Sequence, residues 1–227
     1  MKYGIREMIT ELVGLNELQW GGYAFYHEPL ERKFNPEQKE SYIRKANACG
    51  VQEAKKLTEK YPTESAGAIA KELGFDVKTP TTPTGGGHVI FAQYVEPNHI
   101  TIFRDCVEKA EALIREEGLE DILPDLDLME VLLAHELFHG VEYRSRKQIY
   151  TQTEKVELWR RPFSNKSRII CLSEMAAMAF AKEMVGIRFS PYVLDVLLMY
   201  SYNTEAAEAL YEEILEAAGI KEREESC

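Results

Sequence analysis

The chain has 227 residues, a formal net charge of −11 at pH 7 and a sequence pI near 5.1. This length favours one domain with a sizeable core, and the acidic balance argues against direct nucleic-acid binding, which normally uses a basic patch. Residues 1–15 carry charges where a signal peptide would be apolar, and no run approaches the roughly 18 uncharged apolar residues that span a bilayer. We therefore expect a cytoplasmic protein with no nucleic-acid or membrane partner.

The first third of the chain predicts mostly helices. One is expected at Ile5–Val13. Another begins at the Asn35-Pro36 pair, where Asn caps the helix and Pro occupies its first turn, and it ends before Tyr61. Gly50 is placed to bend or divide this second helix. Between the two helices, the aromatic residues 20–27 predict an irregular segment.

The next segment predicts a short helix followed by strands. The helix is capped by Thr63 and closed by Gly74, and it leads into a strand at residues 75–77. Two β-rich runs, at residues 88–95 and 99–104, flank a Glu-Pro-Asn turn and predict a hairpin. This hairpin is the one evident supplier of an edge strand to which an extended substrate could add.

Two polar features of this region are expected to bind no ligand. The glycine-rich residues 79–87 precede a strand and lack the Lys of a P-loop, whereas phosphate-binding loops lead into a helix. His88 and His99 lie at no metal-ligand spacing. We expect both histidines to be strand residues that face solvent.

The centre of the chain predicts two capped helices. Asp105 pairs with Glu108, and Asp127 with Glu130, in the capping-box pattern. The second helix is expected to run to about Lys147. It is apolar on nearly every side, which predicts an interior position.

That interior helix carries the sequence Ala134-His135-Glu136-Leu137-Phe138-His139. Positions i and i+4 share one helix face, so His135 and His139 can present imidazole nitrogens to one ion. Glu136 is placed to orient a water molecule that the ion activates and to take its proton. The segment therefore predicts a metal site with one Zn²⁺ per chain.

A catalytic zinc usually has three protein ligands, so one more donor is needed. Glu174 is the favoured third ligand, because it lies in an alanine-rich stretch that predicts a second helix able to pack closely on the first. Glu142 is the rival, since it follows His139 by three residues on the same face. Its ordinary interpretation is an ion pair with Arg146, and side chains from three turns of one helix rarely converge on one ion.

The segment between the two ligand helices is expected to loop over the surface and could attract an acidic substrate segment. Its basic and proline residues are Arg160, Arg161, Pro162, Lys166 and Arg168. Helices are then expected at residues 167–184, 190–200 and 203–218, each begun or closed by a capping residue. The charged residues 221–227 are expected to fray.

The four cysteines, Cys49, Cys106, Cys171 and Cys227, are widely spaced and form no CxxC pair. They predict free thiols rather than a Cys-rich zinc module or a redox motif. Cys171 could fall near the metal site because it precedes Glu174 by three residues, although packing is the commoner role of a free cysteine. The order of elements predicts an α+β fold in which a small, mostly antiparallel sheet packs on a helical layer.

These features resemble the ImmA/IrrE family of metallopeptidases. Residues 68–77 are similar to the family's short helix entering its first strand, residues 134–139 to its AHExxH helix, and residues 174–181 to its ExxAxxFA pattern. The similarity covers residues 42–185. Phe138 stands where the family often has Gly, and Met178 where Asn is common, so the pocket is expected to differ in shape.

The resemblance implies a zincin-like metallopeptidase fold with additional C-terminal helices. Its implied parts are an N-terminal extension at residues 1–35, the peptidase domain at 36–187, and a helical extension at 188–227 packed on that domain. It implies a zinc endopeptidase of the gluzincin type that acts on a protein or peptide, with His135, His139 and Glu174 as ligands and Glu136 as general base.

Several questions stay open at this stage. Tyr94, Tyr143, Tyr150 and His88 are all candidates for the donor that stabilises the oxyanion. The alternatives to a peptidase are a metal-binding but non-catalytic regulatory or partner-binding protein, and a helical interaction protein without metal. Fe, Mn, Co or Ni can also occupy a His/Glu site. Nothing in the pattern indicates the oligomeric state.

Overall fold

The computed structural model describes residues 2–81, 90–159 and 165–220. The helices of these ranges are α1 (Ile5–Val13), α2 (Glu17–Tyr26), α3 (Pro36–Lys60), α4 (Ala66–Glu72), α5 (Arg104–Glu116), α6 (Leu128–Arg144), α7 (Tyr150–Thr153), α8 (Cys171–Val185), α9 (Val193–Tyr200) and α10 (Thr204–Ala217). The strands are β1 (Asp76–Lys78), β2 (Ala92–Val95), β3 (His99–Ile102), β4 (Lys155–Trp159) and β5 (Asn165–Arg168). The described chain is therefore α+β and mostly helical, as predicted.

Helix α8 lies at the centre of the helical layer, packed against α3 on one side and α6 on the other. Small residues at these contacts, including Ala134, Ala176 and Ala177, are completely buried. The ring centroids of Phe138 on α6 and Phe180 on α8 lie 5.5 Å apart, and this contact stabilises the packing of α6 against α8. Close backbone approach of this kind fixes the relative position of groups on the two helices.

Gly50 serves this packing rather than dividing its helix. Helix α3 runs unbroken from Pro36 to Lys60, and a Cβ atom added at Gly50 would lie 2.1 Å from the backbone oxygen of Ala176. Glycine is therefore needed where α3 and α8 cross, because only a residue without a side chain allows this approach. The expected division of the helix at Gly50 was therefore wrong.

A three-stranded sheet packs beside α6 in the order β1-β3-β2. Strand β3 pairs in parallel with β1 and antiparallel with β2, so the predicted hairpin is confirmed. Strand β2 lies at the edge of this sheet and contacts α6. An edge strand beside the helix with both histidines is thus available for pairing with an extended chain.

Residues 20–26 belong to helix α2 and His27 is its C-cap, so the expectation of an irregular segment was wrong. The Asn16 side chain accepts hydrogen bonds from the backbone of Leu18 and Gln19, in a complete capping box that starts the helix. The two glycines of this helix lie where it meets other elements. A Cβ at Gly21 would collide with Ile43, and one at Gly22 would lie 2.7 Å from the Ala217 backbone oxygen.

Smaller differences concern caps and the basic segment. Helix α4 is capped by Ser65 instead of Thr63, and α5 starts after Phe103, so that Asp105 lies within its first turn. The expected surface loop is a hairpin, because β4 and β5 pair antiparallel. Arg160, Arg161 and Pro162 fall outside the described residues, as do His88 and most of the glycine-rich loop.

The terminal helices join the main core. Buried apolar residues from Ile5 on α1 to Leu215 on α10 belong to one continuous cluster. Helix α9 packs against α1, α5 and α10, and α10 also packs against α2. Among the described helices, none has both the length and the apolar character needed to cross a membrane.

The contact at Gly50 gives a test of this architecture. We expect Gly50→Ala to lower the free energy of unfolding by about 1–3 kcal/mol, because the added methyl group must push α3 away from α8. Chemical denaturation would measure this change. The matched control Lys45→Ala, at an exposed position of the same helix, should change it by less than about 0.5 kcal/mol. An unchanged unfolding midpoint in Gly50→Ala would contradict the proposed packing role.

Candidate metal centre

Helix α6 places His135 and His139 one turn apart on the same face. Their Nε2 atoms lie 3.2 Å from each other, and the two side chains are only 16% and 18% exposed. Asp127 caps the start of the helix by accepting a hydrogen bond from the backbone N–H of Glu130 at 3.0 Å. The helix therefore presents two imidazole nitrogens at one partly buried point.

Glu174 on α8 completes the cluster from the neighbouring helix. Its Oε2 lies 3.4 Å from His135 Nε2, and its Oε1 lies 3.5 Å from His139 Nε2. The three side chains form a group that could hold a metal ion. The Glu174 side chain is 50% exposed, so the cluster is open to solvent on this side.

The separations of these donors match the geometry of zinc. Two ligands that are each about 2.0–2.1 Å from a tetrahedral zinc lie about 3.3 Å apart. The two Nε2 atoms are 3.2 Å apart, and a Glu174 oxygen lies 3.4 Å from one of them and the other Glu174 oxygen 3.5 Å from the second. Two imidazoles and one carboxylate are also a common donor set of catalytic zinc, so the residues present fit this ion.

Glu142 occupies a different place from the one expected of a third ligand. Its Oε2 lies 4.0 Å from Nδ1 of His139, on the side of the ring opposite the cluster. The Ser173 hydroxyl donates to this carboxylate at 2.8 Å and lies 3.4 Å from the same Nδ1, and Thr151 donates to the other oxygen. This arrangement favours a proton on Nδ1, which leaves Nε2 of His139 free to bind a metal.

The hydrogen bonds of Glu142 also keep it charged. Its side chain is buried, which by itself raises the pKa, but hydrogen bonds from His139, Thr151 and Ser173 lower the pKa below its usual range. The Glu142 to Arg146 ion pair considered from the sequence is not formed. Arg146 instead donates to the Tyr143 backbone oxygen and lies over the Tyr143 ring.

Glu136 is buried beside the two imidazoles, with a residue exposure of 7%. Burial raises the pKa of its carboxyl, while the charges of His135 and His139 and a hydrogen bond from the Tyr94 backbone oppose this rise. Glu136 is not part of the three-residue donor group. A carboxylate next to the donors, but not among them, can exchange protons with a reacting molecule.

The charges of the cluster stabilise one another. Burial lowers the pKa of His135, but the carboxylates of Glu174 and Glu136 outweigh this effect and raise it to about 9. Partial desolvation raises the pKa of Glu174, but the hydrogen bond and charge of His135 lower it to about 2. Without a metal, the cluster thus contains an imidazolium and a carboxylate, and a cation must displace the proton to bind.

A polar cleft of about 620 Å³ opens from the cluster. It is lined by Glu136, His139 and Glu174 and by Tyr94, Tyr143, Arg146 and Arg168. The Tyr94 hydroxyl donates to the Pro97 backbone oxygen at 2.7 Å, whereas within the described ranges the Tyr143 hydroxyl makes no hydrogen bond. Tyr150 does not line the cleft, and its hydroxyl is buried without a partner among described residues.

An apolar cavity of about 310 Å³ borders the cluster at His135 and Glu136. Its apolar walls include Phe91, Val131, Leu132, Met178, Leu194 and Leu198. The polar residues that line it are His135, Glu136 and Asp195. Burial raises the pKa of the Asp195 carboxyl to about 7, and the charge of His135 opposes the rise.

Cys171 lies near the site, as the sequence allowed, but in a packing role. It lines a cavity with His135 and Glu174, and its own side chain is buried. Burial and the charge of Glu28 raise the pKa of the Cys171 thiol, so it stays protonated and is a poor metal ligand. Cys49, Cys106 and Cys171 are free thiols, whereas Cys227 falls outside the described ranges.

Sequence reasoning missed three contributors to the site. Ser173 and Thr151 support Glu142 through side-chain hydrogen bonds that depend on tertiary packing, and nothing in their spacing indicates these contacts. Asp195 is the one charged residue in the otherwise apolar helix α9. An isolated charge in an apolar helix is a sequence feature from which Asp195 could have been identified as a site residue. His99, by contrast, is an exposed strand residue as expected, paired with Asp76 at 3.1 Å.

No protein-family model matches the chain, and no curated protein or solved structure is significantly similar to it. The resemblance to the ImmA/IrrE family therefore depends on the motifs and stays a prediction.

Removal of Glu174 tests the ligand set. We expect about one zinc per chain in the purified wild-type protein and clear loss in Glu174→Ala, because two imidazoles alone bind zinc more weakly than the three-donor set. Elemental analysis of both proteins measures this directly. Glu183→Gln, a change at an exposed carboxylate of the same helix, is the control and should retain the metal. Equal zinc content in wild type and Glu174→Ala would exclude Glu174 as a ligand.

Removal of the Glu142 charge tests its support of His139. Glu142→Gln should weaken zinc binding by about 10–100-fold, because the imidazole loses the carboxylate that orients it and increases its basicity. Competition with a chromophoric chelator measures the affinity. If Glu142 were only a packing residue, the affinity would equal that of wild type while thermal stability fell.

Proposed function

We propose that this protein is a zinc-dependent endopeptidase of the gluzincin type. The observation that supports this most strongly is the convergence of His135, His139 and Glu174 at zinc-like separations, with the Glu136 carboxylate beside them. Two helices that are separate in sequence supply the donors. The arrangement is the one that hydrolysis by a zinc-activated water requires.

A zinc ion held by these three residues would polarise the carbonyl of the scissile bond and lower the pKa of a water molecule to about 7. Glu136 orients the attacking water, takes its proton and later donates that proton to the leaving amine. Its burial supports this role, because a raised pKa brings a carboxylate closer to that of the group with which it exchanges protons.

Tyr143 is the favoured donor to the developing oxyanion. It lines the polar cleft with Glu136 and His139, and within the described chain its hydroxyl has no competing hydrogen bond. Tyr94 lines the same cleft, but its hydroxyl already donates to Pro97. A donor placed in advance at the site of charge development contributes strongly to such reactions.

The edge strand β2 is suited to hold a peptide in extended form. Ala92 of this strand lines the apolar cavity, and Tyr94 lines the polar cleft. A hydrogen bond from the Tyr94 backbone to Glu136 places the strand next to the general base. A substrate segment that pairs with β2 would therefore pass directly over the cluster.

The assignment agrees with the resemblance to the ImmA/IrrE metallopeptidases. The two motifs that suggested this family, at residues 134–139 and 174–181, lie on helices that pack together and contribute all three donors. On this basis we propose a cytoplasmic enzyme that cleaves a regulatory protein.

A second function, a metal-stabilised regulatory protein without activity, has one observation in its favour. The donors come from α6 and α8, which both pack in the core, so a bound ion would also crosslink these helices. A metal that contributes only to folding would raise stability without hydrolysis.

Substitution of Glu136 separates these functions. Glu136→Gln should retain zinc and fold, but should cleave peptides at least about 100-fold more slowly, because the amide does not accept the proton. A mixture of unstructured peptides, analysed by mass spectrometry for new termini, provides the assay without a known substrate. The exposed Glu120→Gln is the control and should cleave like wild type. Equal cleavage by Glu136→Gln would exclude the general-base role, and zinc-loaded wild type without any cleavage would favour the second function.

A further inference from the structure

The apolar cavity contains one carboxyl group that the proposed chemistry does not use. Asp195 extends from the first turn of α9, a helix outside the segment that carries the metal ligands. Within residues 2–81, 90–159 and 165–220, its carboxylate has no hydrogen-bond or ion-pair partner. The side chain is partly buried and lines the cavity together with His135 and Glu136.

An unpaired carboxylate is costly in such surroundings. The neighbouring walls are the hydrocarbon side chains of residues such as Leu132, Leu194 and Leu198, which cannot solvate a charge. Of the other nearby carboxylates, Glu174 faces the two imidazoles, and Glu136 interacts with them and with the Tyr94 backbone. A ligand that brings a positive charge to Asp195 would relieve this cost and form a charge-assisted hydrogen bond.

The shape and the lining of the cavity limit what such a ligand can be. A volume of about 310 Å³ accepts a long side chain, and the apolar walls suit a hydrocarbon stem. The Asp195 carboxylate suits an ammonium or guanidinium group at the end of that stem. Lysine and arginine combine both properties, whereas a purely apolar side chain would leave Asp195 unpaired.

The direction of β2 determines which substrate residue enters the cavity. The strand runs from Ala92, at the apolar cavity, to Tyr94, at the polar cleft. A peptide paired antiparallel with β2 runs the opposite way, from the cleft across the cluster to the cavity. The residue over the cavity is then the one that follows the scissile bond.

We propose that the apolar cavity, through Asp195, selects a lysine or arginine residue immediately after the bond that is cleaved. This proposal rests on the proposed peptidase function and names the substrate class of the same site. Asp195 thus acts in specificity and not in the chemical step.

The test begins with the full-length, zinc-loaded protein and a mixture of unstructured peptides that contains all neighbouring residue pairs. Mass spectrometry should show lysine and arginine enriched directly after the cleaved bonds. The best-cleaved peptide is then made in three versions, with lysine, norleucine or glutamate at that position. We expect wild type to prefer lysine over norleucine on the order of tenfold or more in kcat/KM.

Variants then identify the group responsible. In Asp195→Asn, the ratio of kcat/KM for the lysine peptide to kcat/KM for the norleucine peptide should fall to near one, because cleavage of the lysine peptide slows. The matched control Asp121→Asn, at an exposed carboxylate paired with Arg6, should keep the wild-type ratio. The proposal is overturned if wild type shows no basic preference after the bond. It is also overturned if Asp195→Asn slows cleavage of all three peptides equally, because that result indicates that Asp195 positions His135 and does not select the substrate.

A direct binding measurement distinguishes failure of this proposal from failure of the peptidase function. If the zinc-loaded protein cleaves none of the peptides, the peptidase function fails, and the cavity is tested with 1-butylammonium against 1-butanol. Methyl NMR shifts of Met178 and Leu198 report occupancy. Saturable shifts with the ammonium in wild type, absent in Asp195→Asn, support selection of a basic side chain. An equal response of both proteins overturns it.

Discussion

Close packing of α8 between α3 and α6 is the constraint on which the site depends. Glycine and alanine at the contacts let the helix backbones approach, and Phe138 and Phe180 lock their relative position. Glu174 sits one turn before Met178 on the helix held in this way, so its carboxylate reaches two imidazoles on α6. A donor set needs placement within fractions of an ångström, and a rigid interior contact provides it more reliably than a loop.

Three carboxylates surround the two imidazoles, and their surroundings give them different roles. Glu174 is half exposed and faces both Nε2 atoms, which suits a ligand. Glu142 is buried, accepts hydroxyl hydrogen bonds and approaches the opposite nitrogen of His139, which suits support of a ligand. Glu136 is buried beside the donors and has a raised pKa, which suits proton transfer. Residue type alone does not distinguish these roles, whereas hydrogen bonding and burial do.

Local patterns predicted what is determined locally. The bounds of α1 and α3, the Asn35 cap and the helix with both histidines follow from periodicity and capping residues that act within one turn. The predictions failed where the structure depends on contacts between residues that are far apart in the sequence. The glycines of α2 and Gly50 in α3 look like helix breakers until the backbones that approach them are seen. The support of Glu142 by Ser173 and Thr151, and the position of Asp195, likewise depend on helices that meet only in the folded chain.

Under the two proposals, hydrolysis and substrate selection use different helices, because Asp195 lies on α9 and the proposed metal ligands do not. The proposed metal donors lie on α6 and α8, two helices whose buried residues belong to the core. Asp195 belongs to α9, whose apolar side chains are buried in the core, and it is the one charged residue of that helix. Under the proposed function, a change confined to Asp195 would alter which sequences are accepted while the three proposed metal ligands stay in place. On that proposal, substrate preference would change through one position of the chain that supplies no metal ligand.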